Sequence, residues 1–191
     1  IDRHIEVAGK LGKPIGRIVL THAHSDHVGA LDGLKSRMPE VPVYISARDA
    51  KLLAGDKSLE AGEPPAPIRG GVPSGIRTKP DVLIQDGDRI GSLVAVSAPG
   101  HTPGSMAFVD ERCGALIAGD AFQTRGGVAP AGMMKLVFPF PALATWDAAL
   151  GLSSARKLAG LKPALLAPGH GDMLERPVTA MERAFVKAER S

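Results

Sequence analysis

The sequence contains a single cysteine, Cys113, so a disulfide within the chain is excluded and a reducing compartment is permitted. The formal net charge is only +3 and no cluster of Lys or Arg stands out, which argues against a nucleic-acid partner. No apolar run approaches the roughly 20 residues that a membrane helix needs, and no signal peptide is visible. These absences favour a cytoplasmic protein with neither a nucleic acid nor a membrane as its partner.

The bulk composition is that of a globular protein rich in turns. A chain of 191 residues suits one domain, here taken as residues 1–191, and can bury a substantial core. Hydrophobic residues make up 44% and charged residues 23%, which is ordinary for such a protein. The 23 glycines and 16 prolines predict many turns around short elements rather than a helical bundle.

A strand–helix–strand unit is predicted near the beginning of the chain. Arg17–Leu20 reads as a strand, Val28–Arg37 as a helix with one apolar side, and Val41–Ile45 as a second strand. Open α/β sheets carry their sites at the carboxyl ends of such strands. The loop after Leu20 is therefore a candidate site.

The remaining elements are short. Ser46 is expected to cap a helix that runs through Leu53, and residues 55–80, rich in Pro and Gly, to form a long surface loop. Four apolar runs separated by turn residues predict a block of antiparallel strands: Val82–Ile84, Leu93–Ser97, Met106–Val109 and Leu116–Ala118. Further helices are predicted over Ile1–Leu11, Thr145–Leu161 and Pro177–Arg190, and a last buried strand over Ala164–Ala167.

The loop after the first strand holds four candidate metal ligands within six residues, in the run Thr21-His22-Ala23-His24-Ser25-Asp26-His27. Imidazoles two residues apart on an extended segment point to the same side, so His22 and His24 can reach one ion. Asp26 and His27 follow after the chain has begun to turn. They should therefore point to a neighbouring ion.

Three more candidate ligands each lie just past a predicted strand: His101, Asp120 and His170. Each is preceded by glycine, which lets the backbone turn sharply and approach a ligand closely. Five of the six histidines thus fall in strand-end loops that one sheet edge could bring together. Asp172, close behind His170, is predicted to be a loop or capping residue rather than a ligand.

These motifs resemble the metallo-β-lactamase-fold hydrolase superfamily, and the match spans Ile18 to Asp172. The resemblance implies an α/β (α+β) fold, a four-layer αβ/βα sandwich of two mixed sheets with outer helices. It also implies one ion held by His22, His24 and His101. A second ion would be held by Asp26, His27 and His170, with Asp120 bridging the two.

The chemistry of this ligand set is consistent with that resemblance. Imidazole and carboxylate ligands suit two Zn²⁺ ions, with Mn²⁺ or Fe²⁺ also possible. Two ions about 3.5–4 Å apart can hold a shared hydroxide near neutral pH, which attacks an electrophilic carbonyl or phosphorus. Asp26, which would also steer the hydroxide, and Asp120 are the candidate catalytic residues.

The resemblance narrows the reaction without naming the substrate. A bridging Asp120 with both His24 and His27 resembles the glyoxalase-II-like and lactonase-like branches, which implies hydrolysis of a thioester, ester or lactone in a small molecule. One alternative is a phosphodiesterase or nuclease that uses the same two-metal core. Others are a mono-iron persulfide dioxygenase, against which the complete second ligand set argues, and a non-catalytic metal-binding scaffold.

The apolar, turn-rich segment from Phe122 to Pro141 follows Asp120 and is predicted either to wall a pocket or to pack against the sheet or a partner subunit.

Superfamily members also have several strands before the helix that leads to the histidine motif, whereas here only one helix and one strand precede His22. We therefore expect a first sheet that lacks its N-terminal strands. A preceding segment, or a second chain such as that of a homodimer, would complete it.

Overall fold

The computed structural model of the protein describes residues 2–189, so Ile1 and Arg190, the outer ends of two predicted helices, lie outside the described residues. The helices are α1 (Asp2–Lys10), α2 (Ser25–Val28), α3 (Leu31–Arg37), α4 (Ala47–Leu53), α5 (Phe140–Ala144), α6 (Ala148–Gly160) and α7 (Val178–Ala188). The strands are β1 (Ile18–Val19), β2 (Val43–Ser46), β3 (Val82–Ile84), β4 (Arg89–Ile90), β5 (Leu93–Ser97), β6 (Met106–Asp110), β7 (Ala115–Gln123), β8 (Ala129–Pro130), β9 (Leu165–His170) and β10 (Leu174–Glu175).

Helix starts follow local capping signals. The Ser46 side chain accepts a hydrogen bond from the Asp49 N–H at the start of α4, as predicted. The helix predicted from Thr145 begins at Ala148, because the Asp147 side chain accepts from the Leu150 N–H and caps it there. The helix predicted over Val28–Arg37 begins later, at Leu31, as α3, and Val28 instead ends the preceding helix α2; the short α5 was not predicted.

The strands form two sheets. Strands β1, β2 and β3 pair in that order and run parallel. The second sheet has the order β10-β9-β7-β6-β5-β4, with β8 paired to β7. It is mixed, because β7 and β9 are parallel whereas its other pairs are antiparallel.

One predicted pairing is wrong. Val82–Ile84 was assigned to the antiparallel block, but as β3 it pairs in parallel with β2, with Val82 opposite Tyr44. The connection through α4 and the long loop over 55–80 returns the chain in the same direction as β2, as parallel pairing requires. The other three runs do form an antiparallel series, β5-β6-β7.

Three apolar clusters hold the layers together and produce the four-layer sandwich. One packs the second sheet against α6 and α7, with Leu116, Leu158 and Met181 fully buried. Another packs the first sheet against α2, α3 and α4. The third lies between the sheets, where Ile84 of β3 meets Phe108 of β6. Within residues 2–189, no helix has the length and apolar character that crossing a bilayer requires.

Strand β1 forms an edge of the first sheet, since it pairs only with β2 in the described part of the chain. An apolar groove lies beside it, lined in part by Val7, Leu11 and Leu34. Leu11 is 66% exposed. An open strand edge beside apolar surface is a template for pairing with another strand.

We therefore expect the 191-residue chain to self-associate through this edge. Light scattering should give a mass well above 19.8 kDa at micromolar concentration. Leu11→Lys should lower this mass, because it places a charge in the apolar groove. A lone species of 19.8 kDa that binds no hydrophobic dye would contradict the expectation.

Candidate metal centre

The histidine motif folds as its spacing predicts. His22 and His24 follow β1 on an extended segment and are buried, with 1% and 2% of their surface exposed. Asp26 and His27 lie in α2, which begins at Ser25. The change from extended chain to helix directs the Asp26 side chain toward His170, whereas the His27 ring stays beside His22, with 4.0 Å between the ring centroids.

The three remaining candidates come from the second sheet. His101 follows β5 as predicted, but Asp120 lies inside β7 and His170 is the last residue of β9, rather than just beyond these strands. The β7–β9 pairing is irregular on both sides of Gly119, which has a φ of 51°. This irregularity directs the Asp120 side chain toward the histidines while the strand continues.

Each histidine of the first group is fixed by a hydrogen bond from its outer nitrogen. His24 Nε2 donates to the carbonyl oxygen of Arg69 at 3.0 Å. His101 Nδ1 donates to Thr145 Oγ1 at 3.1 Å, because that hydroxyl itself donates to the carbonyl oxygen of Pro141. His22 Nδ1 lies 3.2 Å from Thr21 Oγ1. Such outer partners set the tautomer and orientation of metal-binding imidazoles.

These tautomers leave lone pairs that face one another. With protons on the outer nitrogens, His24 Nδ1 and His101 Nε2 are both unprotonated, yet they lie only 2.9 Å apart. Two such acceptors repel each other unless a cation lies beside them. The inner nitrogen of His22, Nε2, is buried and has no hydrogen-bond partner. All three features fit a cation at this point.

Asp120 connects the first group of ligands to the second. Its Oδ2 lies 3.3 Å from His101 Nε2 and 3.2 Å from His170 Nε2. Its Oδ1 lies 3.3 Å from His27 Nε2, and both of these atoms are buried without a hydrogen-bond partner. Asp26 Oδ2, in a side chain 59% exposed, completes the cluster at 3.3 Å from His170 Nε2.

All seven predicted ligands therefore converge. Their donor atoms form three groups that could each hold a metal ion: His22, His24 and His101; His22, His27 and Asp120; and Asp26, His27 and His170. Asp172 is not a member of these groups, and its carbonyl oxygen accepts a hydrogen bond from Thr124. One of these groups is the ligand set predicted for the first ion and another is the set predicted for the second, while the third joins them through His22, His27 and Asp120.

Electrostatics favour the protonation states that metal binding needs. Burial lowers the pKa of His22 well below its ordinary value and that of His101 to about 3, so both imidazoles are neutral at physiological pH. Burial raises the pKa of Asp120, but interactions with His170 and His27 outweigh it and hold the pKa far below its ordinary value. The hydrogen bond to Asp120 raises the pKa of His170. Neutral imidazoles and an ionised carboxylate are ligands for a divalent cation.

Two glycines allow the close packing of the centre. A Cβ atom at Gly169 would lie 2.0 Å from Asp120 Oδ1, so β9 can pass this close to the Asp120 carboxylate only with glycine at position 169. A Cβ atom at Gly70 would lie 2.5 Å from His24 Nε2, and Gly70 also has a φ of +81°.

A buried carboxylate that the sequence analysis missed holds the two histidine loops together. Asp49 Oδ2 accepts from the Ala23 N–H at 2.9 Å and from Thr102 Oγ1 at 2.8 Å, and Oδ1 accepts from the Gly104 N–H at 2.9 Å. Burial raises the pKa of Asp49 to about 6, against these three hydrogen bonds. Asp49 thus joins the backbone between His22 and His24 to the loop after His101.

The ligands open into a cavity of about 350 Å³ whose other walls were only partly predicted. Gly70 and Gly71 of the long loop form one side, and the Ser25 N–H donates to the Gly71 carbonyl at 2.7 Å. Helix α5 forms another side with Phe140, Pro141, Leu143 and Ala144. The segment 122–141 therefore does both things predicted for it. Phe122 packs in the core of the second sheet, while Phe140 lines the cavity.

Comparison with known proteins agrees with this geometry. YobT of Bacillus subtilis (strain 168) is 53% identical over 186 residues, which cover 97% of this chain and 80% of YobT. The probable metallo-hydrolase YflN of the same organism is 30% identical, over 84% of this chain and 66% of its own. The crystal structure of TTHA1623 in a di-iron-bound form superposes with a TM-score of 0.64 and 27% identity, and the match covers 94% of this chain and 81% of that one.

The family model described as the metallo-beta-lactamase superfamily matches residues 2–170, a range that contains all seven converging side chains. Fold, metal-binding cluster and sequence relatives thus agree. The chain belongs to the metallo-β-lactamase superfamily.

Proposed function

We propose that the protein is a dinuclear metal-dependent hydrolase that cleaves an ester, thioester or lactone carbonyl. The observation that carries the proposal is the position of Asp120, whose Oδ2 lies within 3.3 Å of both His101 and His170, between clustered ligand groups that open into one cavity. The relation to YflN, named a probable metallo-hydrolase, supports hydrolysis.

The first ion would be held by His22, His24 and His101, and the second by Asp26, His27 and His170, with Asp120 shared between them. Five imidazoles and two carboxylates suit Zn²⁺, while Mn²⁺ and Fe²⁺ also accept such ligands. When bound, two divalent ions lower the pKa of water toward neutrality and polarise a carbonyl oxygen.

The protein's own groups would orient the reactants. Asp26 projects into the cavity, and its Oδ2 can accept a hydrogen bond from the attacking water and hold its proton. The hydrogen bonds to Arg69, Thr145 and Thr21 keep the imidazoles in place throughout.

The cavity favours a carbonyl over a phosphodiester. Its lining includes the carboxylates of Asp26 and Asp120 and, among the described residues, no Lys or Arg. Phosphodiester anions are usually bound with the help of such cationic side chains. A neutral ester or lactone needs no such partner.

A metal-defined substrate panel tests the proposal. We expect about two ions per chain by elemental analysis, and hydrolysis of p-nitrophenyl acetate, a simple thioester or γ-butyrolactone that stops on chelation and returns with Zn²⁺, Mn²⁺ or Fe²⁺. Cleavage of bis-p-nitrophenyl phosphate alone would contradict the carbonyl assignment. One iron per chain with oxygen uptake on a persulfide would contradict hydrolysis altogether.

A further inference from the structure

We infer that the wall formed by α5 binds the apolar acyl part of the substrate, with Phe140 and Leu143 as specificity-determining residues. The inference rests on the proposed function and adds the class of substrate to it. It starts from the composition of the cavity, which is divided into a polar half of metal-ligand side chains and an apolar half from α5.

The two apolar side chains are unusually exposed for their size. Phe140 is 65% exposed and Leu143 is 57% exposed, although Pro141 and Ala142 between them in the same helix are buried. Large apolar side chains grouped on the surface beside a cleft mark a binding site. Their exposure here is directed at the cavity that contains His101 and Asp120.

The wall is fixed relative to the metal ligands. Thr145, which follows α5, accepts from His101 Nδ1 and donates back to the Pro141 carbonyl oxygen at 2.8 Å. The backbone N–H of Trp146 donates to the His101 carbonyl oxygen at 3.0 Å. A substituent that lies on Phe140 and Leu143 is therefore held at a set position from the reacting carbonyl.

The polar and apolar parts belong to one cavity, and this indicates which part of the substrate lies on α5. A carbonyl bound beside Asp120 must place its acyl substituent in the same cavity of about 350 Å³, which is near the lower end of the range for ligand sites. The α5 wall offers this substituent no charged side chain. A straight alkyl chain fits such a wall, whereas a charged or strongly hydrated group would lose hydration without gaining a partner.

A homologous series of esters tests the wall with the metal-loaded protein. From p-nitrophenyl acetate through butyrate and hexanoate, we expect KM to fall about twofold per methylene, roughly half the effect of full burial, because the wall is half open. Leu143→Ser should abolish this gain, so that KM no longer falls from the acetate to the hexanoate. Leu83→Ser is the matched control, because Leu83 is 56% exposed on β3 and does not line the cavity.

The possible outcomes separate this inference from the proposed function. Ester hydrolysis with no dependence of KM on chain length, or a dependence that survives in Leu143→Ser, overturns the acyl wall and leaves the hydrolase intact. If no ester is cleaved, calorimetric binding of methyl ketones of increasing chain length still reports on the wall. An affinity that rises with the length of the ketone in the native protein but not in Leu143→Ser would support the acyl wall. An affinity that does not change along the series would overturn it. An association between copies that Leu143→Ser abolishes, with no chain-length effect, would also overturn it.

Discussion

Replacement of Asp120 by alanine is expected to remove at least one metal ion and to lower turnover by several orders of magnitude. The Asp120 carboxylate lies between the two proposed ligand groups, with oxygens 3.2 to 3.3 Å from the Nε2 atoms of His170, His101 and His27. Its loss leaves the imidazoles of the two positions without a shared anion. The activation of water that depends on two ions is then lost.

Elemental analysis together with kcat/KM on the best ester of the panel measures this effect. Asp172→Ala is the matched control, since Asp172 follows His170 by two residues and stands outside the ligand groups. It should retain both metals and near-native activity. If the Asp120→Ala protein kept its metal content and turnover, both the proposed ligand role and the mechanism would be wrong.

Asp49→Ala should weaken metal binding from outside the ligand set and destabilise the fold. The change leaves two buried backbone N–H groups, those of Ala23 and Gly104, without an acceptor. At roughly 1–3 kcal/mol for each of the two unsatisfied groups, we expect a loss of about 2–6 kcal/mol in the free energy of unfolding. Metal affinity should also fall, because Asp49 fixes the backbone of the two loops that carry His22, His24 and His101; the loss should not exceed the roughly 10- to 100-fold found when a direct partner of a metal ligand is removed.

Asp49→Asn helps to separate geometry from charge. The amide keeps one acceptor oxygen, but its NH₂ group must face the other backbone N–H, so we expect an intermediate loss of stability. Asp32→Ala provides the control, because Asp32 accepts from the N–H groups of Arg77 and Thr78 and from the Thr78 hydroxyl, away from the metal ligands. It should retain full metal affinity. Urea unfolding and metal titration measure the two effects, and unchanged metal affinity in Asp49→Ala would contradict the positioning role.

Local elements were predictable where local chemistry determines them. The cap at Ser46, the strand Leu93–Ser97 and the buried Met181 and Phe185 of α7 follow from side-chain capping and from apolar periodicity. Helix α5 was missed because its prolines, Pro139 and Pro141, lie at and just after its start, where they are compatible with a helix but read as loop residues in sequence.

The pairing of distant segments was not predictable from residue patterns. The sequence around Val82–Ile84 shows a strand followed by a turn, and this pattern is the same whichever sheet the strand joins. Its parallel pairing with β2 depends on the path of the chain through the loop over 55–80. The same loop supplies the Arg69 carbonyl that orients His24 and the two glycines of the cavity. Backbone groups of this kind leave no signal in a residue pattern.

The sequence by itself determined which side chains can bind metal. The run from His22 to His27, with His101, Asp120 and His170 each placed after a glycine, specifies donor types and spacings that come from local chain geometry. Only the tertiary structure decided how these donors are oriented and which side chains line the cavity beside them. Asp49 bonds to residues 26, 53 and 55 positions away. Phe140 and Leu143 line the same cavity as the proposed metal ligands only because α5 packs beside His101. Contacts over such separations arise from the packing of whole layers, which no local pattern encodes.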